Sequence, residues 1–434
     1  MNIKRVVTAS LSSIILIICF LYTNSNPSIV LKSKVYTYEK GQVYATINFE
    51  DIREGYCESS IEKVEITGKS CKIAVENRRS KIDIRSKNSD KLVAIYPDLN
   101  AIESISLRYS DVYLKPGDEY TIEMEIEKIG EPEINITYKS DSSILDLEEG
   151  TITANAPGDG IVTVMVNDTE LTVGVHISDI MKKPAFWETK EYLPCGAFTQ
   201  KEAEWPDNYL RFKVDQAGYG TRAGAVAAAR ILVLEFPYKI NYFLENGRLD
   251  VSSGGNGIDG EGRYYHQGFY LSEDKYATIS RHSASGPNIW GCRMYTRDPH
   301  DFEVVIVTEN GLDCSGFVSW ALKNGGLDIG DIGAGDTYGY YDYYKVGTRH
   351  SITPDYIYNK EYQVGDLAFV DGHIGLITGI DDTYTYVCES LSIYGGVSIK
   401  RYTDDQLVSR YYFTDFIDMS EEYYNGEGNL TQMW

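Results

Sequence analysis

The chain has 434 residues, which is enough for about three domains of ordinary size. Its 64 acidic residues outnumber its 41 basic residues and give a formal charge of -23, which argues against nucleic acid or an anionic membrane surface as the main partner. Its seven cysteines are too few for a disulfide scaffold.

An apolar stretch over residues 6–22 follows the cations Lys4 and Arg5. As a helix it spans roughly 25 Å, slightly less than a hydrocarbon core of about 30 Å, and the two cations place its N-terminal end in the cytoplasm. Because no clean small-residue cleavage site follows, residues 1–30 are predicted to be either a signal peptide or an N-terminal membrane anchor. In both cases the rest of the chain lies outside the cytoplasm.

Short alternating runs of apolar and polar residues, separated by turn residues, fill residues 33–178. This pattern predicts an all-β region with the texture of a sandwich. Residues 33–100 are interpreted as a small β-rich domain of their own. Cys57 and Cys71 fall within it, and the sequence is compatible both with a disulfide between them and with two half-buried thiols.

The next β segment carries a resemblance. Residues 114–122, 150–154 and 161–164, with a Pro-Gly turn between the last two, resemble the bacterial Ig-like group 2 domain over residues 102–178. The resemblance implies an Ig-like sandwich that acts as a spacer or an adhesive stalk.

Residues 179–210 contain several prolines without clear periodicity and are interpreted as a linker. The C-terminal domain is predicted to begin near residue 211. Its first strong element is an Ala-rich helix over residues 221–236, which Thr221 caps and Pro237 stops.

A second helix is predicted directly after Asp313, a good N-cap residue, and it ends at the Asn-Gly-Gly sequence 324–326. Its apolar residues recur on one helical face: Phe317, Val318, Ala321 and Leu322. Cys314 then lies in the first turn, where unpaired amides and the helix dipole favour a thiolate and lower a pKa that is about 8.5 for a free cysteine. The same amides can stabilise an oxyanion. Cys314 is therefore a candidate nucleophile, whereas an arbitrary cysteine is more often a buried structural residue.

Three apolar alternating runs predict strands in the last part of this domain, at residues 365–370, 373–378 and 384–388. Asp371 and Gly372 join the first two as a tight hairpin. Helices followed by antiparallel strands predict an α+β domain over residues 211–418, before an acidic tail at 419–434.

A cysteine nucleophile needs a base and a group that orients the base. Of the six histidines, His373 is the best candidate because it opens a strand that can fix its ring. If residues 380–382 form a three-residue loop, His373 lies opposite Glu389. A loop one residue shorter places Cys388 there, and a longer one places Ser390 there. Glu389 is favoured chemically, because a carboxylate can hold the imidazole tautomer and stabilise its charged form.

These motifs together resemble the NlpC family of papain-like cysteine endopeptidases, which cut the stem peptides of peptidoglycan. Residues 313–318 (Asp-Cys-Ser-Gly-Phe-Val) match the family's nucleophile motif, residues 365–367 match its strand before the histidine, and residues 373–377 match its histidine strand. The resemblance implies a papain-like α+β domain with helices packed on an antiparallel sheet.

By this resemblance Cys314 is the nucleophile, His373 is the base, and Asp313 contacts a free amine of the substrate in addition to capping the helix. The family's third catalytic residue is often a histidine, and because none follows His373, that role either passes to Glu389 or is unfilled. The remaining candidate substrate contacts are Asn288, Trp290 and Ser315.

The chain departs from the family pattern in two further places. Residues 288–292 read Asn-Ile-Trp-Gly-Cys where the family usually has Tyr-Val-Trp-Gly-Gly, which removes a tyrosine from the substrate groove. A Gly/Tyr-rich loop at 335–344 enlarges the segment between Cys314 and His373. Tyrosine rings can stack on sugar faces, so this loop is a candidate contact for cell-wall glycan, although aromatic loops more often pack on their own domain.

The sequence therefore predicts a wall-facing cysteine peptidase, membrane-anchored or secreted to the cell wall, that cleaves a peptidoglycan peptide, with the D-glutamyl-diamino acid bond as the expected target. The catalytic step requires no metal and no organic cofactor. One alternative is cleavage of the amide between glycan and peptide, as in related amidases. Another is a wall-binding or adhesive module whose catalytic activity has been lost.

Overall fold

The computed structural model describes residues 31–39, 42–50, 52, 54–77, 80–87, 92–95, 101–130, 132–184, 190–192, 200–242, 268–269, 293–297, 305–309, 311–327, 334, 347–409, 413–419 and 424–430. The predicted signal or anchor at 1–30 lies outside these residues. Within the described part of the chain, no helix is both long and apolar enough to cross a membrane. The chain divides into two compact units, 1–111 with 119–153 and 160–174, and 112–118 with 154–159 and 175–434.

Residues 31–95 form two antiparallel sheets. The first has the order β1-β2-β5 and is built from β1 (Leu31–Glu39), β2 (Gln42–Phe49) and β5 (Ser70–Val75). The second has the order β4-β3-β6-β7 and is built from β3 (Gly55–Glu58), β4 (Lys63–Glu65), β6 (Ile82–Ser86) and β7 (Leu92–Ile95).

The core between these sheets follows from strict alternation along β2, where every second side chain is buried. Ile47 on this strand and Ile84 on β6 belong to the same apolar cluster. The disulfide between Cys57 on β3 and Cys71 on β5 joins the two sheets within this cluster, so the first of the two possibilities for these cysteines is the one observed.

Residues 101–177 contribute nine short strands, in agreement with the predicted all-β texture. The strands are β8 (Ala101–Leu107), β9 (Asp111–Leu114), β10 (Glu119–Thr121), β11 (Met124–Ile129), β12 (Ile136–Lys139), β13 (Leu145–Glu148), β14 (Thr151–Ala154), β15 (Gly158–Val166) and β16 (Thr169–Ile177). β8 pairs with β11, β10 with β14, and β12 with β15, all antiparallel.

The helices of the second unit begin with one that the sequence did not reveal. Helix α1 (Gln200–Ala217) runs across residue 211, from the predicted linker into the predicted C-terminal domain, and contains Pro206. Helix α2 (Arg222–Arg230) begins after Thr221, whose hydroxyl accepts a hydrogen bond from the Gly224 N–H, and continues as a π-helical turn over Ile231–Glu235. The predicted cap at Thr221 and the end before Pro237 are confirmed.

Helix α3 (Cys314–Asn324) is the predicted cysteine helix, and it packs on α2. At its C-terminal end, a Cβ atom added to Gly325 would lie 2.4 Å from the Cα of Ala225, so the two helices approach at a contact that only glycine permits. Phe317 and Trp320 of α3 are fully buried, in an apolar cluster that also contains Ala225 of α2.

A six-stranded antiparallel sheet supports α3. Its order is β21-β26-β22-β23-β24-β25, from β21 (Thr348–Ser351), β22 (Leu367–Val370), β23 (His373–Ile380), β24 (Thr385–Leu391), β25 (Gly396–Tyr402) and β26 (Asp415–Asp418). Val370 pairs with His373 across a two-residue turn in which Gly372 has a φ of +86°, so the predicted Asp-Gly hairpin is confirmed.

Short elements complete the second unit. They are the parallel pair β17 (Glu191–Tyr192) and β18 (Tyr238–Lys239), the hairpin β19 (Arg293–Arg297) and β20 (Val305–Glu309), helices α4 (Pro354–Tyr358) and α5 (Asp404–Val408), and a 3-10 turn at Ser392–Tyr394.

A buried ion pair connects α2 to the sheet. The Arg222 guanidinium lies 2.6 Å from the Asp366 carboxylate, and both side chains are only 1% exposed. The guanidinium also donates to the Val364 carbonyl at 2.9 Å and lies 5.0 Å from the centre of the Tyr424 ring. Tyr424 comes from the predicted acidic tail and donates its hydroxyl to the Gly365 carbonyl at 2.8 Å, so this part of the tail packs on the fold.

The predicted fold class, an all-β Ig-like region followed by an α+β papain-like domain with helices on an antiparallel sheet, is wrong. In the described residues, strands hold more than twice as many residues as helices and are divided among eight sheets, most of them small. The prediction assigned too much weight to the helices, because caps and apolar faces mark a helix strongly whereas each short strand carries a weak signal. The molecule is a mostly β protein.

Candidate active site

The start of α3 is fixed by Asp313. The carboxylate of this residue accepts a hydrogen bond from the Gly316 N–H at 2.7 Å and another from the Ser315 hydroxyl at 3.2 Å. The predicted N-cap is therefore confirmed. Asp313 and Ser315 are 5% and 2% exposed, so both belong to the buried cap of the helix, and their predicted substrate contacts stay predictions.

The Cys314 thiol lies against the hairpin turn that precedes β23. Its Sγ is 3.9 Å from the Gly372 carbonyl oxygen, and Gly372 is the neighbour of His373 in the chain. On the other side, the Ser390 hydroxyl donates to the Leu312 carbonyl at 2.7 Å, which holds the end of β24 beside the start of α3. The helix start, the histidine turn and the glutamate strand therefore meet at one place.

His373 and Glu389 form a buried pair. The imidazole Nε2 lies 2.7 Å from the Glu389 Oε2, and the side chains are 8% and 0% exposed. The second carboxylate oxygen, Oε1, accepts a hydrogen bond from the Tyr402 hydroxyl at 3.2 Å. A carboxylate held in this way can fix the ring orientation and stabilise an imidazolium.

The strand register that produces this pair differs from the predicted one. Glu389 pairs with Gly375 rather than with His373, and a bulge between Ile377 and Gly379 shifts the register along β23. The hairpin closes with Ile380 opposite Thr385, so its loop has four residues rather than three. His373 reaches Glu389 diagonally, because residues two positions apart on a strand share a face.

The aromatic side chains of Phe413 and Tyr402 pack beside the pair of His373 and Glu389. The Phe413 ring centre is 6.1 Å from that of His373 and 5.6 Å from that of Tyr402. Lys400, on the same strand as Tyr402, has its pKa lowered by burial, while the charge of Glu389 acts in the opposite direction. Apolar walls exclude water here and strengthen the electrostatic interactions of the pair.

Cys388 is excluded as the group that orients His373. Its side chain is fully buried and lies 3.2 Å from the Thr378 hydroxyl. Burial raises the pKa of the Cys388 thiol to about 12, so this cysteine stays protonated and inert. Of the three residues that the sequence left open, Glu389 is the one that contacts the imidazole.

Several predicted features lie outside the described residues, namely Asn288, Trp290 and the Gly/Tyr-rich loop 335–344. Conversely, the sequence reading missed Tyr402 and Phe413. No local motif marks either residue, since both reach the site through the sheet register and the order of distant strands. In the parts of the chain that the structure describes, no group of three or more His, Cys, Asp or Glu side chains is arranged to hold a metal ion.

No known family model matches the chain, and no curated protein matches it. Among solved structures, it is similar to domains 4 and 5 of the S-layer protein SbsC, with 15% identity over 22% of this chain and 64% of that one, at a TM-score of 0.17. A larger part of the same S-layer protein matches with 13% identity over 38% of this chain and 29% of that one, at a TM-score of 0.19.

A chimeric titin Z1Z2 tandem matches with 12% identity over 35% of this chain and 99% of that one, at a TM-score of 0.16. The chain spans less than two thirds of the length of the two S-layer structures. These TM-scores are too low to indicate a shared fold. Independently of them, the Cys57 to Cys71 disulfide indicates an oxidising environment, which agrees with a location outside the cytoplasm.

Proposed function

We propose that the protein is a cysteine peptidase that hydrolyses an amide bond in the stem peptides of peptidoglycan. The observation that carries this proposal is the convergence of Cys314, His373 and Glu389 at the start of α3. A thiol at a helix N-terminus, an imidazole and a buried carboxylate are the groups that nucleophilic attack on an amide needs.

The reaction would proceed in two steps. The Cys314 thiolate attacks the amide carbon and forms a C–S bond, and the imidazolium of His373 gives its proton to the leaving nitrogen as the C–N bond breaks. Water then attacks the thioester carbon while His373 accepts one of its protons; a C–O bond forms as the C–S bond breaks, which releases the acid product and restores the Cys314 thiolate and the imidazolium. Since Glu389 is hydrogen-bonded to Nε2, the proton exchange with Cys314 uses Nδ1.

The backbone N–H of Cys314 would stabilise the negative charge of each tetrahedral intermediate. As the first residue of α3, Cys314 has an N–H with no acceptor inside the helix, and the helix dipole favours an anion at this end. Attack and stabilisation would then occur at the same residue.

The substrate class rests on the resemblance of the cysteine and histidine motifs to those of the NlpC family. A wall substrate also fits a chain that begins with a predicted signal or anchor and carries a disulfide in its first β region. We therefore infer a protein that is anchored in the cytoplasmic membrane or secreted to the cell wall, with the D-glutamyl-diamino acid bond as its target.

Mass spectrometry of muropeptides incubated with the full chain tests this function. A cut between D-glutamate and the diamino acid is the expected result. Release of an intact peptide from muramic acid would instead identify an amidase. Retained wall binding without any product between about pH 5 and 9, the range in which a Cys-His pair titrates, would identify an adhesive module and refute the proposed reaction.

A further inference from the structure

Tyr402 makes a contact at the site that neither motif accounts for. It is the last residue of β25, and its hydroxyl donates to the Glu389 Oε1 at 3.2 Å while His373 occupies Oε2. Its ring packs edge-on against Phe413, with the ring centres 5.6 Å apart. Each oxygen of this carboxylate therefore has its own donor.

The burial of Glu389 makes both donors important. Burying a carboxylate costs free energy unless hydrogen-bond donors replace the lost water. With a single donor, the carboxylate could still rotate about the bond that joins it to the rest of the side chain. Two donors on opposite oxygens fix the plane of the carboxylate and, through Nε2, the plane of the imidazole. Among the residues that the structure describes, the charged and titratable groups that face Glu389 include His373 from β23 and Tyr402 and Lys400 from β25.

We propose that Tyr402 is a positioning residue that acts through Glu389 to hold the ring of His373 in the orientation that serves Cys314. The inference rests on the proposed function in taking Cys314 as the nucleophile. Without the Tyr402 hydroxyl, the Glu389 carboxylate keeps one of these two donors, the imidazole is held less firmly, and the thiolate of Cys314 forms less readily at low pH.

The test measures the rate at which iodoacetamide alkylates Cys314 in the full chain as a function of pH, with the modified peptide identified by mass spectrometry. Tyr402→Phe keeps the ring and removes only the hydroxyl. A hydrogen bond to a charged group is stronger than one between neutral groups, so we expect its loss to lower the alkylation rate at pH 6 by at least about tenfold. At pH 9, where the thiol ionises without help, the rate should match that of the wild type.

Tyr386→Phe is the matched control. It removes a tyrosine hydroxyl from the neighbouring strand β24, where that hydroxyl donates to Asp381 at 2.7 Å. We expect its alkylation profile to follow the wild type at every pH. Thermal unfolding of both variants shows whether either substitution disturbs the fold.

A double-mutant cycle with Glu389→Gln separates action through the carboxylate from a merely structural role. If Tyr402 acts through Glu389, Tyr402→Phe adds little to the effect of Glu389→Gln. Additive effects, or an unchanged rate for Tyr402→Phe at pH 6, would overturn the proposal. Because alkylation needs no substrate, this outcome is distinct from a failure to cleave muropeptides, which would overturn only the proposed function.

Discussion

Two regions of the chain, residues 31–95 and the six-stranded sheet, bury different kinds of side chain. In the described part of residues 31–95, every buried side chain is aliphatic, aromatic or cysteine. In the six-stranded sheet, His373, Glu389 and Asp415 are all buried, and so is Asp366 directly before β22. Buried charge costs free energy unless it is paired, so a core that serves only as a support has no reason to contain it. The comparison therefore agrees with a proposed active site in the second region.

The cysteines of the two regions also differ, in whether they form a disulfide. Cys57 and Cys71 are joined to each other between two sheets, whereas Cys314 and Cys388 form no disulfide within the described residues. The disulfide holds a β region together. Of Cys314 and Cys388, the former lies at a helix start beside a histidine turn. The following predictions test this division, from the largest expected effect to the smallest.

Replacement of the nucleophile should have the largest effect. Cys314→Ala should lower muropeptide cleavage by at least about 10³-fold, because nucleophile deletions remove the covalent route altogether. Cys388→Ala, the matched control in β24, should retain cleavage, since its thiol is buried and protonated. Product analysis by mass spectrometry measures both variants. Persistent activity of Cys314→Ala would refute the mechanism.

Breaking the buried ion pair should destabilise the second region strongly. Arg222→Met leaves Asp366 buried without its main partner, and we expect the free energy of unfolding to fall by about 3 to 5 kcal/mol. Arg108→Met in the first unit is the control: Arg108 also lies 2.6 Å from a carboxylate, that of Glu123, but both side chains are about half exposed. It should cost at most about 1 kcal/mol.

Urea unfolding of both variants checks this difference. Equal losses would mean that burial does not distinguish the two pairs, and the contrast between the regions would lose its energetic basis.

Removal of the disulfide should have an intermediate effect confined to the first region. The two cysteines are 14 residues apart, and closing a loop of about this length stabilises a fold by about 3 kcal/mol. The double variant Cys57→Ala, Cys71→Ala should therefore unfold earlier in urea while the alkylation rate of Cys314 stays unchanged. A change in that rate would show that the two regions are not independent in this respect.

The smallest effect concerns a single buried carboxylate in α1. Burial raises the pKa of Asp207 to about 6, while its carboxylate accepts a hydrogen bond from the Phe269 N–H at 2.6 Å. Between about pH 4 and 6 the folded chain binds the proton more tightly than the unfolded chain does, so this group lowers stability as the pH rises through that window.

Asp207→Asn removes the charge and keeps an oxygen acceptor for Phe269. It should raise the free energy of unfolding at pH 7 by at most about 3 kcal/mol and leave it unchanged at pH 4. Asp215→Asn, at an exposed position of the same helix, should change little at either pH. Urea unfolding at the two pH values decides the matter, and a loss of stability for Asp207→Asn at pH 7 would contradict the argument.

Local chemistry was readable from the sequence, because each signal depends on a few adjacent residues. Asp313 caps α3, Thr221 caps α2, and the Asp371-Gly372 turn closes the hairpin before His373, all as predicted. Capping needs only a side-chain oxygen and an N–H two or three residues ahead, and a two-residue turn needs only residues that accept its backbone angles.

Features that depend on distant segments were not readable. The bulge between Ile377 and Gly379 shifts the strand register that brings Glu389 to His373, and no residue type near the bulge predicts it. Helix α1 was missed because Pro206 interrupts a polar segment that lacks periodicity. The papain-like fold class was wrong for a related reason, since the division of many short strands into separate sheets is decided by tertiary pairing.

The hydrogen bond from Ser390 to the Leu312 carbonyl has a mechanical consequence. Ser390 is the neighbour of Glu389, and Leu312 stands two residues before Cys314, so a displacement of β24 is transmitted to the start of α3. In the proposed mechanism, the thiol and the carboxylate are therefore attached to one rigid connection, and a variant that breaks it, such as Ser390→Ala, would let them shift independently.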